Sequence, residues 1–384
     1  MNAISVVIPC LNEAATIGNC IRRARQALAQ SEFDFSEIIV ADNGSIDDSV
    51  NICRAENVKV VEASQKGYGS ALHAGIMAAS TPWIVFADGD ESYDFGQLSL
   101  FIPPLEQGYD LVVGNRFGGT IAKGAMPFLH RYLGTPVISY IGRKSFHVTL
   151  TDFNSGMRAI TRKAYLQLDM QAAGMEYASE MIAKAALNRL KITEVPIDLH
   201  KDQRNRKPHL RTWQDGWKHL KLILVFSPKW LLLFPAVFFL FTGCLLGGIL
   251  VFSYIKIFNL VLDIHTLYFA SIFLTLGFQL LQFYLLARLY GKRIGLYPDN
   301  KLTVFIRRRF TFEKSLLVGS VVFLAGIFLS AYAVFQWQEN SFGALNPVSV
   351  FRIIIPGGFG ITLGMQIIVF GFLLYIIKSI KNIH

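Results

Sequence analysis

Trp83-Ile84-Val85-Phe86-Ala87-Asp88-Gly89-Asp90-Glu91-Ser92-Tyr93-Asp94 decides how this chain is read. Pro82, then four apolar residues in a row, then carboxylates around a glycine predict a buried parallel strand that stops where acid begins. In open α/β sheets ligands bind at the carboxyl ends of strands, because the loops leaving them frame a crevice. Asp88 and Asp90 are two apart, so in an extended segment they point the same way, and Gly89 admits close approach of backbone or ligand. Two hard oxygen donors on one side suit Mg²⁺ or Mn²⁺ carrying a substrate diphosphate. The same residues also suit a plain polar turn capping the next helix, and the flanking chain has to decide between the two.

Working outward, residues 4–8 form an apolar run ended by Pro9, and Asn12-Glu13 lead into an amphipathic segment over 16–28. Residues 37–40 repeat the pattern, with Asp42-Asn43-Gly44-Ser45 as a turn and Ser45 or Asp47 as N-cap of a helix running to 55. A third strand at 58–61 is followed by Lys66-Gly67-Tyr68-Gly69 and a helix over 70–79; a fifth strand at 111–113 ends at Gly114-Asn115-Arg116. This alternation predicts βαβ units and a mostly parallel sheet with right-handed crossovers. Residues 127–150 mix aromatics with His130, Arg131, Arg143 and Lys144, and fit either an amphipathic helix against a membrane or an ordinary surface helix. A helix over 175–190 and a strand over 193–199 complete this part.

With 384 residues, 52% of them hydrophobic, and a mean hydropathy of +0.40, the chain is too apolar for a wholly soluble enzyme. The excess lies beyond Trp230, in blocks at 231–254, 267–286, 316–335 and 353–377, each about the 20 residues a spanning helix needs. Arg288, Lys292, Arg293, Lys301, Arg307, Arg308, Arg309 and Lys314 lie between the second and third blocks, which places that connection, the N-terminal domain and the Lys378 and Lys381 tail in the cytoplasm. A net charge of +10 then reflects cytoplasmic loops and headgroup contact, and nucleic acid is not an expected partner. Lys201, Arg204, Arg206, Lys207 and Arg211 precede an aromatic, basic stretch from Trp213 to Trp230 suited to the headgroup layer. The expected division is therefore 1–205 catalytic, 206–230 interfacial and 231–384 membrane-spanning. No acidic residue sits mid-block, which argues against an ion-coupled transporter. Cys10, Cys20, Cys53 and Cys244 lack paired or metal-type spacing, and Met1-Asn2-Ala3-Ile4 lacks the basic start of a signal peptide.

Val6-Val7-Ile8-Pro9-Cys10-Leu11-Asn12-Glu13, Asp42-Asn43-Gly44-Ser45, Lys66-Gly67-Tyr68-Gly69, Asp88-Gly89-Asp90 and Gly114-Asn115-Arg116 occur in this order. Together they resemble a GT-A glycosyltransferase of family 2, with its Rossmann-like sheet, similar to dolichyl-phosphate mannose synthase and the bacterial polyprenyl-phosphate glucosyltransferases. The resemblance covers residues 4–210, and the multi-span tail is similar to the polytopic members of that group. It implies that Pro9, Asn12, Glu13, Asp42, Asn43, Lys66, Gly67 and Asp88 border the nucleotide sugar, a UDP- or GDP-hexose. It implies that Asp88 and Asp90 hold the metal, although Ser92 stands where relatives often carry Gln. Arg116 and Arg131 would meet the phosphate of a polyprenyl acceptor, with Ser155 in Asp152-Phe153-Asn154-Ser155-Gly156-Met157-Arg158 closing that side and Arg204, Arg206 and Lys207 nearby.

The resulting expectation is an integral membrane enzyme that transfers a hexose with inversion to a polyprenyl phosphate at the cytoplasmic face. Transfer to a lipid or polysaccharide hydroxyl is a second reading, with Asp152 or Asp94 as general base. A non-catalytic scaffold or flippase partner is a third. Homo-oligomerisation stays open.

Overall fold

A computed structural model describes residues 3–203, 212–293 and 301–379. Arg204, Arg206, Lys207, Arg211 and Lys381 lie outside the described residues. The chain divides into two compact units, Met1–Ser227 and Pro228–His384.

The first unit is built on a seven-stranded sheet: β1 (Ala3–Cys10), β2 (Phe35–Asp42), β3 (Lys59–Glu62), β4 (Trp83–Phe86), β5 (Leu111–Asn115), β6 (Arg158–Thr161) and β7 (Ile192–Pro196). Their order is β3-β2-β1-β4-β6-β5-β7. β1 is buried along its whole length because helices cover both faces, so its sequence is continuously apolar instead of alternating. α1 (Ile17–Ala29) turns Ile17, Cys20, Ile21, Ala24 and Leu28 inward at helical spacing. α2 (Ser49–Ala55), α3 (Tyr68–Ala78), α4 (Ile102–Glu106), α5 (Thr135–Phe146), α6 (Arg162–Leu168), α7 (Tyr177–Leu187) and α8 (Thr212–Phe226) follow. α3 passes so close over β1 that a Cβ on Gly75 would lie 2.4 Å from Val7 Cγ1.

The mostly parallel α/β architecture is as expected, with two corrections. β6 runs antiparallel between β4 and β5; only four residues long and opening with an arginine, it carries no strand pattern in the sequence. α2 begins at Ser49, later than a cap at Ser45 or Asp47 requires. Ser45 Oγ is used elsewhere, accepting from Asn12 N, whereas Asp47 serves both ends: its Oδ1 accepts from Ser49 N and Ser49 Oγ at the start of α2, and its Oδ2 accepts from Ala14 N. They tie the β2–α2 loop to the β1–α1 loop.

The second unit holds four helices long and apolar enough to cross a membrane: Lys229–Leu250, Ile264–Arg293, Phe312–Glu339 and Pro347–Ser379. The first comprises a π-helical turn and α9 (Phe234–Leu250); the others are α10, α12 and α13, with the short α11 (Lys301–Arg309) before α12. A hairpin of β8 (Ile255–Ile257) and β9 (Leu260–Leu262) joins the first two. Glycines let the backbones meet, as small residues do between helices in lipid. A Cβ on Gly243 would lie 2.9 Å from Leu274 N, and one on Gly364 2.5 Å from Phe323 N. Beside the hairpin, Arg352 pairs with Asp263 at 2.7 Å.

Burial pushes the Cys10 thiol up to about 11 and those of Cys20 and Cys53 up to about 12. A maleimide at pH 7.5 is therefore expected to leave all three unmodified in the folded chain and to label them once it is denatured, as read by peptide mass mapping. Gly75→Ala is expected to cost about 1–3 kcal/mol of stability through overpacking, measured as a lowered melting temperature.

Candidate active site

β1 and β4 are parallel neighbours, in register from Ile4 opposite Trp83 to Val7 opposite Phe86. Beyond β1 the chain turns outward through β2 to β3, and β4 starts on the other side, so the carboxyl ends of β1 and β4 flank a topological switch point. The segments leaving these two strands carry Pro9 to Glu13 and Asp88 to Ser92. Thr16 Oγ1 donates to Gly89 O at 2.7 Å, tying the two segments together.

The acidic turn is held from several directions. Asp90 is buried, and its Oδ1 accepts from Ser92 N (3.0 Å) and Ser92 Oγ (2.5 Å). Gln203 N donates to Asp90 O and His200 N to Ser92 O, so the chain after β7 lies across the turn. Tyr68 donates its phenolic hydrogen to Asp88; burial first, then Asp88, holds that phenol well above its usual pKa, which keeps the hydrogen in place. Gly156 closes the far side, where a Cβ would sit 2.7 Å from Asp88 Oδ2. Two carboxylates on one turn are oxygen donors of the kind a small divalent ion takes. Among the described residues no third His, Cys, Asp or Glu joins them, and Ser92 supports Asp90.

On the β1–β2 side, Asp42 ends β2 and spends both oxygens on its own turn, accepting from Gly44 N and Ser45 N. Asn12 adopts a left-handed backbone with φ 55° and accepts from Ile46 N at 2.8 Å. Glu13 is buried, and its backbone N–H donates to Ser49 Oγ. Asn43 is bonded reciprocally to Gly67, Gly67 N to Oδ1 at 2.9 Å and Nδ2 to Gly67 O at 2.7 Å. That clamp sets the loop holding the exposed Lys66. Gly67 has φ +139°, and a Cβ there would fall 2.1 Å from Ala173 O. The strap of residues 171–173 lying over this loop is fixed in turn by the buried Glu180, which accepts from Gln171 N and Ala172 N and pairs with Lys184.

The β5 side is cationic. Asn115 Oδ1 accepts from Phe117 N and Gly118 N, shaping the turn that presents Arg116. Arg116 forms a two-pronged bond to the fully buried Asp152, Nε to Oδ2 at 2.6 Å and Nη2 to Oδ1 at 2.8 Å. Burial opposes the guanidinium charge, but Asp152 outweighs it and raises the pKa of Arg116. Among the described residues Nη1 takes no part in these bonds, which leaves that edge to meet a second anion. Arg131 lies on the π-helical turn His130–Gly134, over the Tyr132 ring. His130 on the same turn has its pKa lowered, by burial first and then by Arg116. Arg158 carries no functional signal in the sequence alone. It is 1% exposed, pushed down to about 10 by burial, and donates to the carbonyls of Ser155, Phe153 and Ala178. One guanidinium thereby fixes both the 153–156 turn and the start of α7. Ser155 is buried on that turn.

Residues 5–168 match the family described as Glycosyl transferase family 2, and residues 285–378 the Glycosyltransferase family 2 C-terminal transmembrane region. The low-salt glycan biosynthesis hexosyltransferase Agl6 of Haloferax volcanii is 31% identical over 97% of this chain and 88% of its own length. The chain belongs to glycosyltransferase family 2. It is similar as well to the dolichyl-phosphate hexose transferase of Haloferax volcanii, at 29% identity over 50% of this chain and 81% of that protein. Among solved structures, glucosyl-3-phosphoglycerate synthase of Mycobacterium tuberculosis with Mn²⁺, UDP-glucose and phosphoglyceric acid covers 58% of this chain and 79% of its own, with 24% identity and a TM-score of 0.46. This family 2 glycosyltransferase thus combines a mostly parallel α/β domain with four apolar helices.

Asp152→Ala leaves a buried guanidinium without its carboxylate and is expected to cost about 3–5 kcal/mol, read by denaturation of the full chain. Adding Arg116→Ala to it is expected to recover part of that loss. Arg116→Gln removes one of the two causes that depress His130, so the imidazole is expected to titrate at higher pH in the variant, followed by NMR.

Proposed function

We propose that this glycosyltransferase moves a hexose from a nucleotide sugar, UDP- or GDP-linked, to the phosphate of a polyprenyl phosphate at the cytoplasmic membrane face, with inversion at the anomeric carbon. The observation that carries the reading is the partition of charge across one crevice: two carboxylates at the end of β4, and Arg116 at the end of β5 with a guanidinium edge to spare. A pocket of this kind suits a metal-bound diphosphate on one side and a second phosphate on the other.

Mg²⁺ or Mn²⁺ held by Asp88 and Asp90 would supply Lewis-acid neutralisation of the departing nucleoside diphosphate. Pro9, Asn12, Glu13, Asp42, Asn43, Lys66 and Gly67 border the nucleotide in this reading, with Asn43 and the strap under Glu180 holding the glycine loop still. Arg116 and Arg131 orient the acceptor phosphate, helped by Ser155 and by Arg204, Arg206 and Lys207. Arg suits that task because its planar fork matches phosphate oxygens. A lipid phosphate with a second pKa of about 6 is mostly dianionic at neutral pH, so no general base is required. Its oxygen bonds to the anomeric carbon from the face opposite the leaving group, and the old carbon–oxygen bond leaves with its electron pair on the diphosphate. An α-linked donor thus gives a β-linked product. The hydroxyl-acceptor reading is weakened by the site itself: Asp152 is locked by Arg116, and Asp94 accepts from Gly96 N and faces Arg23.

The acceptor's tail places the reaction at a membrane, since each CH₂ brought into water costs roughly 0.8 kcal/mol. Phe128, Leu129, Tyr132, Leu133, Val137 and Tyr140 are exposed at helical spacing before and within α5, which supports the membrane-facing alternative for residues 127–150. Trp217 is exposed on α8, in keeping with an interfacial stretch over 206–230 between a catalytic part, 1–205, and a membrane part, 231–384. Lys301, Arg308, Arg309 and Lys314 on and beside α11 fit a cytoplasmic connection, which puts both termini on that side.

Purified full chain given Mn²⁺, a panel of UDP- and GDP-hexoses and polyprenyl phosphate is expected to release nucleotide only when the lipid is present. Asp88→Asn and Asp90→Asn are each expected to slow transfer about a hundredfold or more, equivalent to several kcal/mol. A product of retained α configuration, or nucleotide release indifferent to the lipid, would overturn the reading.

A further inference from the structure

Between α10 and α13 runs an open groove of about 640 Å³ with mostly apolar walls. It starts at His265 and Phe351, next to the β8–β9 hairpin, and runs to Leu276 and Thr362. Leu276 follows His265, and Thr362 follows Phe351, by 11 positions, a length of about 16 Å at the helical rise. The hydrocarbon core of a bilayer is about 30 Å thick, so the groove is as long as one leaflet. Polar cross-links bound it: Arg352 Nη2 donates to Asp263 Oδ1 at 2.7 Å at the hairpin end, and Gln282 Nε2 to Gln366 O at 3.0 Å beyond the inner end. α11 follows the other end of α10, so the groove belongs to the leaflet away from α11.

The hydroxyls on the walls are already spent. Ser271 Oγ donates to Tyr268 O, Thr275 Oγ1 to Ser271 O and Thr362 Oγ1 to Gly358 O, each within its own helix. Walls that ask for no further hydrogen bond suit a hydrocarbon chain. The mouth is different, because Arg352 and Asp263 put both signs of charge there with side chains 22% and 25% exposed. Arg352 Nη1 reaches only Phe252 O, at 3.5 Å, the outer limit of a hydrogen bond. A zwitterionic headgroup answers both charges: its phosphate takes guanidinium hydrogens, and its primary ammonium donates to the carboxylate. A headgroup with only a phosphate charge leaves Asp263 facing like charge. A polyprenyl phosphate whose phosphate sits at the α11 face would bring its tail here and no charge for the mouth. We propose that this groove is a lipid site, taking one chain of a phospholipid whose ammonium-bearing zwitterionic headgroup lies across the Arg352–Asp263 pair. A chain seated there joins α10 to α13 between their two cross-links. The site is separate from the transfer reaction and does not depend on it.

Gly358 supplies the test, since no atom lies within 4 Å of a Cβ built there and a larger side chain enters the groove without meeting the protein. The full chain is reconstituted in phosphatidylglycerol vesicles holding a trace of phosphatidylethanolamine with a diazirine midway along one chain, irradiated, and mapped by peptide mass. Labelling of Ile272 and Thr275 in the groove is expected to exceed that of Phe328, exposed on α12, by about tenfold, the equivalent of one hydrogen bond to a charged group. Photoreactive phosphatidylglycerol in phosphatidylethanolamine vesicles is expected to give no such excess. Gly358→Leu is expected to abolish the excess and leave the labelling of Phe328 as it was. Ser271→Phe, which fills the groove from the facing wall, takes its place if the melting temperature shows that the first variant does not fold. Groove labelling in proportion to Phe328, or an excess that survives both variants, overturns the site. Equal excess with either headgroup overturns the part given to Arg352 and Asp263. An excess carried instead by photoreactive polyprenyl phosphate assigns the groove to the acceptor's tail, and cross-links between chains at these residues assign it to a second copy; either result refutes the phospholipid.

Discussion

The adjacency of β1 and β4 is the constraint from which the rest of the catalytic unit follows. Because the chain goes outward to β3 and then returns across β1, two parallel strands end side by side with their loops diverging. Such a gap is left by topology and needs no cavity carved into a core. The Thr16 bond to Gly89 stops the gap from widening, and Asn43, Glu180 and Arg158 then fix the three edges that surround it. Each of these residues acts mainly on backbone.

What could be read in advance was whatever leaves a local mark. The abrupt change from Phe86 to Asp88 marks a strand end within a few residues, and the apolar blocks announce themselves by length alone. The short β6 carries no such mark, since four residues opening with Arg158 look like loop until β4 and β5 enclose them. The pairing of Arg116 with Asp152 spans 36 positions, so no periodicity links them. Asp42 shows a different gap: its Asx turn and its place beside the crevice are both present, and the sequence could not say that one carboxylate would serve its own turn so completely.

The two buried arginines near the crevice divide the labour. Arg116 is neutralised by a carboxylate and keeps an edge for another anion, whereas Arg158 is met only by main-chain dipoles among the hydrogen bonds described. A guanidinium held by carbonyls keeps its charge, so Arg158 adds to the positive potential around Asp152 and Arg116. The acidic turn and the cationic side are thus balanced partly from behind the wall.

The glycine seam between α12 and α13 bears on how this protein can be handled. Where backbones touch through Gly319, Gly326, Gly360 and Gly364, much of the attraction comes from van der Waals packing between the helices. Contacts of that kind are made between the helices themselves, so exchange of bilayer for micelle is expected to disturb the lipid-facing side chains before it reaches this pair.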